Sequence, residues 1–192
     1  MKTFAYGALT ALALVSATPA AAQAELRGVR ADAVAGIDRF YSEGRNNDEF
    51  VYGGTAGIDF ILGGNFVLGA EGSFLWAENE NIGRDGPGIA ARKSFEEWGA
   101  SLRAGVMASP STLIYAKGGW VVNEQRKRFD ADTIGTRPPA FGDYRNEYRT
   151  QGYVVGGGVE QMLGSNFYLK AEGRYANYRT NSSRLTGLVG IG

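Results

Sequence analysis

The stretch Phe167-Tyr-Leu-Lys-Ala-Glu-Gly-Arg-Tyr-Ala-Asn-Tyr178 alternates with a period of two. One set of positions holds Phe167, Leu169, Ala171, Gly173 and Tyr175. The other holds Tyr168, Lys170, Glu172 and Arg174. Successive side chains of a β-strand point to opposite faces, so this segment forms a strand with one apolar and one charged face.

Seven further segments divide in the same way: 29–37, 50–61, 66–76, 98–107, 114–122, 153–161 and 184–192. Short connections separate some of them, at Gly63-Gly64-Asn65, Ser109-Pro110-Ser111-Thr112 and Gly164-Ser165-Asn166. Glycine and asparagine tolerate positive φ and proline presets φ, so these are turn residues. Longer connections are expected at 41–49, 77–97 and 123–151, with a shorter one at 179–183. Tight turns alternating with long loops are the pattern of a membrane barrel, with the turns on the periplasmic side. Residues 57–72 also resemble residues 158–173, each a strand, a turn and a strand, as a meander of hairpins requires.

The two faces must then be assigned to their surroundings. The apolar face is rich in small residues, among them Ala31, Ala33, Ala35, Ala56, Ala70, Ala100, Ala104, Ala116 and Ala171. Filling a barrel core to native density needs bulkier side chains, whereas fluid lipid conforms to any apolar surface. The large aromatics on this face lie near strand ends. Phe60, Phe66 and Phe167 flank the short turns. Phe50, Tyr52, Trp76, Trp98, Trp120, Tyr153 and Tyr175 lie toward the long connections and form the expected interfacial girdle. The apolar face therefore meets lipid. The opposite face lines the lumen with Arg30, Asp32, Asp38, Asp59, Glu71, Arg103, Lys117, Glu160, Lys170, Glu172 and Arg174, six acids and five bases. Buried charges are costly unless paired. An interior network follows, in which Glu71 and Glu172 accept from Arg103, Lys117, Lys170 or Arg174.

The N-terminus agrees with export. Lys2, a short apolar run and the small residues at 16–22 read as a signal peptide over residues 1–22, with cleavage after Ala22 or Ala24. The barrel domain then occupies residues 23–192. The chain has 20 Lys+Arg and 20 Asp+Glu, a balance that does not point to nucleic acid. It has no histidine and no cysteine, which removes the usual general base and all thiol chemistry. The residues suggest no catalytic, cofactor or metal site. The glycine run at 156–158 lies inside a strand and lacks the lysine and helix of a phosphate loop. Arg126-Lys127-Arg128 reads as a solvated charge run, with lipopolysaccharide phosphate as the alternative contact.

Four runs carry a family resemblance: Tyr168-Leu-Lys-Ala-Glu-Gly-Arg-Tyr175, Leu113-Ile-Tyr-Ala-Lys-Gly-Gly119, Gly156-Gly-Gly-Val-Glu160 and Leu188-Val-Gly-Ile-Gly192. Together they resemble the OmpA-like, opacity-type class of small outer-membrane β-barrels, the "porin family proteins". The resemblance implies an all-β, eight-stranded, antiparallel up-and-down barrel in the cell outer membrane. It implies outer-membrane lipid and lipopolysaccharide as surroundings, the outer-membrane assembly machinery as a partner, and a monomer. Members close on an aromatic residue soon after the last Gly-x-Gly, whereas this sequence ends at Gly192. The expected role is structural and surface-exposed, of the envelope-integrity or adhesion type. A narrow channel for small hydrophilic solutes or ions is the alternative.

Overall fold

A computed structural model of the chain describes residues 24–42, 44–85, 88–131, 144–164 and 166–192. The signal peptide expected over residues 1–22 lies outside the described residues. Eight strands follow one another: β1 (Ala24–Ser42), β2 (Arg45–Leu62), β3 (Phe66–Asp85), β4 (Gly88–Ser109), β5 (Thr112–Ala131), β6 (Tyr144–Met162), β7 (Tyr168–Tyr178) and β8 (Ser182–Ile191). Each pairs antiparallel with the next, and β8 pairs with β1 to close the ring. Closure over Ala33–Ser42 of β1 gives the strands partners on both sides there, as a lipid environment demands of a sheet.

The register fixes the barrel's slant. From Ala31 the direct partners run through Ala56, Gly72, Ala100, Trp120, Tyr153, Asn177 and Ser183, and return to β1 at Tyr41. The path thus comes back ten residues further along β1. Strands staggered in this way tilt by roughly 40° to the barrel axis. Eight strands enclose an interior only wide enough for their own side chains.

The turns are built where the sequence places them. Gly63 and Gly64 adopt φ of 59° and 90° between β2 and β3, and Asn181 adopts 54° between β7 and β8. The long connections differ from expectation. Most of 41–49 and of 77–97 and much of 123–151 continue as strand, so β3 to β6 are 19–22 residues long, against 11 for β7 and 10 for β8. Beyond the apolar belt polar residues stand on both faces of these strands, so no clean alternation marks them. Register shifts between Trp76 and Asn79 and between Ser94 and Glu97 also break the phase there. The barrel therefore has a tall wall from β3 to β6 and a lower one at β7, β8 and the β1–β2 hairpin, where Ser42 at the end of β1 lies directly beside Ser182 at the start of β8.

Candidate functional site

All eleven interior positions singled out above are buried: Arg30, Asp32, Asp38, Asp59, Glu71, Arg103, Lys117, Glu160, Lys170, Glu172 and Arg174. Most of them form one cluster toward the short-turn end. Arg103 grips Asp59 through Nε at 2.9 Å and Nη2 at 2.6 Å, and reaches Glu160 through Nη1 at 2.5 Å. Its guanidinium also lies over the Tyr115 ring, 4.6 Å from the centroid. Arg30 bonds to Glu71 at 2.5 Å and to Asp32 at 3.2 Å. Lys117 bridges Glu71 and Glu172, both at 2.6 Å. Lys170 pairs with Asp32. The hydroxyls of Tyr115 and Tyr168 donate to Glu172 and Asp32, each at 2.7 Å. Of the donors expected for Glu71 and Glu172, only Lys117 pairs with either. Arg103 turns instead to Asp59 and Glu160.

The sequence reading missed Arg27, the fifth base of this cluster. On the strand's alternation it would face outward. A bulge between Leu26 and Gly28 reverses the phase. Gly28 makes this possible with φ of 146°, a conformation that only glycine adopts without strain. Arg27 then enters the lumen and meets Asp59 at 3.1 Å and Glu160 at 3.3 Å.

Arg174 belongs to a second cluster, toward the long-hairpin end. It pairs there with Glu97, which also accepts from Tyr178. Arg184 donates to Asp38 through Nε at 2.9 Å, with Nη2 2.8 Å away in the same ion pair. Thr186 and Asn79 complete the shell of Asp38 at 2.7 and 2.5 Å. Glu97 was assigned to a loop and is instead 1% exposed inside the barrel. With Arg27, Glu97 and Arg184 included, the two clusters hold seven bases and seven acids among the described residues, five of each in the first cluster and two of each in the second. Above them Arg92 donates to Ser42 and to the Thr180 carbonyl.

Between the clusters lies a layer without charge. Val34, Val51, Leu75 and Leu188 pack together, as do Val121, Val154 and Ala176. On β4 the matching interior position is Gly99, between Ser101 and Glu97. Its missing side chain leaves room for Val121, which an added Cβ would approach to 3.2 Å. Each strand thus contributes one small or aliphatic residue to a girdle across the lumen, with ionic or polar groups on either side.

The outer face is apolar at the same level. Phe50, Tyr52, Trp98, Trp120 and Tyr153 are exposed, and Trp76 and Tyr175 are half-buried. Register links four of the seven, since Tyr52 pairs with Trp76 and Trp120 with Tyr153. Phe74 stands directly beside Trp98, with ring centroids 4.6 Å apart. Ten residues of β3 separate Trp76 from Phe66, beside the short turn. At ~3.3 Å per residue and the tilt above, they span roughly 25 Å, the height of an outer-membrane apolar band.

Beyond the belt the strands carry exposed ion pairs. Arg39 meets Asp48 through two bonds of 2.5 Å. The hydrogen bond from Arg39 holds the Asp48 carboxyl below its ordinary range. Bonds from Arg126 and Arg145 do the same for Glu147. Arg126, from the charge run, lies with Lys93 over the Phe95 ring, at 4.8 and 5.2 Å.

A closed antiparallel barrel with a lipid-height apolar band and a charged interior defines a transmembrane β-barrel of the outer membrane. The model of the outer membrane protein beta-barrel domain family matches residues 8–188, and the chain belongs to that family. The 31 kDa outer-membrane immunogenic proteins of Brucella melitensis and Brucella suis are each 26% identical to it over 132 residues, 67% of this chain and 53% of theirs. The chain thus spans about half the length of these curated relatives. Among solved structures, Ail, the attachment invasion locus protein of Yersinia pestis, is similar with a TM-score of 0.57 at 13% identity, covering 85% of this chain and 95% of Ail. Neisserial surface protein A is similar with a TM-score of 0.51 at 15% identity, covering 85% and 97%. At such identities the likeness is one of fold.

Proposed function

We propose that this outer-membrane barrel is a structural, surface-exposed protein of envelope-integrity or adhesion type, monomeric, non-catalytic and closed to solutes. One observation carries the reading. Along the lumen an uncharged girdle of Val34, Val51, Leu75, Val121, Val154, Ala176 and Leu188 separates two neutral ion-pair clusters. A permeating ion would have to displace side chains already bonded to one another and then cross a layer offering no polar partner. Apolar constrictions oppose ions because the ion cannot keep its water. The absence of histidine from the sequence supports a non-catalytic role, since no imidazole is available as general base. Tall β3 to β6 hairpins outside the lipid suit display at the cell surface. The aromatic belt and the polar strand ends above it suit contact with lipopolysaccharide, after insertion by the outer-membrane assembly machinery.

Planar-bilayer recording tests this reading. The parent protein is expected to be silent after insertion is verified by its heat-modifiable gel mobility. Reproducible unitary conductance from the parent would overturn the closed-lumen reading in favour of a narrow channel.

A further inference from the structure

The low wall at β7 and β8 carries two concave surfaces, one above the other, with sorted chemistry. The lower is a groove of about 710 Å³ on the lipid face, lined by Ile37, Ala171, Gly173, Leu185, Gly187 and Val189, with Arg39 and Asp48 at its upper end. The upper, of about 350 Å³, is lined by Tyr41, Arg45, Asn46, Asn177, Asn181 and Ser183 among others. Register places them in rows. Gly173, Gly187 and Ile37 are direct partners, then Tyr175, Leu185 and Arg39, then Asn177, Ser183 and Tyr41. Moving toward the long-hairpin end, the surface changes from apolar to the Arg39–Asp48 pair and then to amide, hydroxyl and the Arg45 guanidinium.

The two glycines need a reason. Glycine weakens a strand, and there it usually marks a bulge, a closely approaching backbone or a ligand. Neither β8 pairing shifts register at Gly187, which excludes a bulge. A Cβ on Gly173 or Gly187 would meet nothing within 4 Å, and neither residue has positive φ. No neighbouring backbone or strained conformation demands them. What their missing side chains provide is the depth of the groove.

We propose that this groove holds one outer-leaflet phosphoglycolipid, the lipid A part of lipopolysaccharide. An acyl chain lies over Gly173 and Gly187, and the phosphosugar head lies among Arg39, Arg45, Asn177, Asn181 and Ser183. Arginine guanidinium suits phosphate, and amides and hydroxyls suit sugar hydroxyls. Among the described residues the upper lining contains no acid, and Arg45 gives it a positive charge that complements an anionic head. The assignment rests on the long-hairpin end facing outward. The test below reads the groove itself, without regard to orientation.

Native mass spectrometry of the folded full chain, released from micelles loaded with bis-phosphorylated lipid A, measures occupancy. The parent should retain a single lipid A. Gly187→Leu fills the groove and should lower the retained fraction by at least about tenfold. Ala104→Leu, which adds the same bulk on the β4 lipid face, should leave it unchanged. The double variant Arg39→Gln with Arg45→Gln keeps the groove, and should erase the parent's preference for phosphorylated over dephosphorylated lipid A; it serves if Gly187→Leu does not fold. Equal retention by Gly187→Leu and Ala104→Leu would overturn the proposal. So would phosphatidylglycerol held as firmly as lipid A, because the sugar-reading rim would then have no role.

Discussion

The same two residue types, arginine and carboxylate, form ion pairs in two settings in this barrel. In the lumen Arg103 and its partners Asp59 and Glu160 are 2% exposed or less. Beyond the apolar belt Arg39 and Asp48 make an equally short pair with each side chain about half exposed, 47% and 46%. The geometry is alike and the consequence is not. Water screens the outer pair and would solvate either partner left alone, so such pairs contribute little. Inside, a lost partner leaves a charge with no solvent to take its place. Surroundings rather than distance decide what an ion pair is worth.

Arg103→Ala is the sharpest way to break this contrast. It removes the base that binds Asp59 and Glu160 most closely and leaves them to Arg27 and Arg30, and losses of ~3–5 kcal/mol are typical of a broken buried pair. The urea midpoint of refolded protein in vesicles, read by heat-modifiable mobility, should fall far below the parent's. Arg39→Ala should leave that midpoint nearly unmoved. Similar midpoints for the two variants would remove the distinction.

A lone cation on the lipid side extends the comparison. Ala104→Arg places a guanidinium near the middle of the apolar band, where the cost is ~2–4 kcal/mol. Trp98→Arg puts the same charge at the belt, where the cost is ~0–1 kcal/mol apart from the lost contact with Phe74. Folding yield into vesicles should follow that order, and the reverse order would shift the band along the strands.

The smallest effect concerns the exposed pair itself. Its carboxylate has a lowered pKa in the folded state, so its contribution is present above the unfolded pKa and fades as pH falls through the folded one. Nuclear magnetic resonance titration of Asp48 should give a pKa below the usual 3.8, returning to it in Arg39→Gln. An unchanged value in the variant would show that Arg39 does not hold Asp48 in solution.

How far the molecule was legible in its sequence follows from the same physics. The facing of every membrane-level strand could be read, because lipid on one side and packed charge on the other enforce a strict period of two. Inside the lumen the partners could not be read. Which base meets Glu71 depends on a register that returns ten residues along the ring, and that register is set by all eight strands together. Arg27 was hidden by a bulge that reverses facing, and Glu97 because the alternation breaks at the bulge just before it, which makes the strand seem to begin at Trp98. The uncharged girdle was visible only in fragments. Val34, Val121, Val154 and Leu188 stand on the charged face of their strands, and only the closed ring brings them to one level.

The central claim is that the apolar face of the sheet meets lipid while the charged face fills the lumen. The three tryptophans, Trp76, Trp98 and Trp120, lie on that apolar face, each toward the long-hairpin end. Their fluorescence in vesicles tests the claim most directly. The emission should be blue-shifted and quenched by phospholipids brominated at shallow depth, with little response to aqueous iodide. Strong iodide quenching without any effect of brominated lipid would put the apolar face in water and contradict the account.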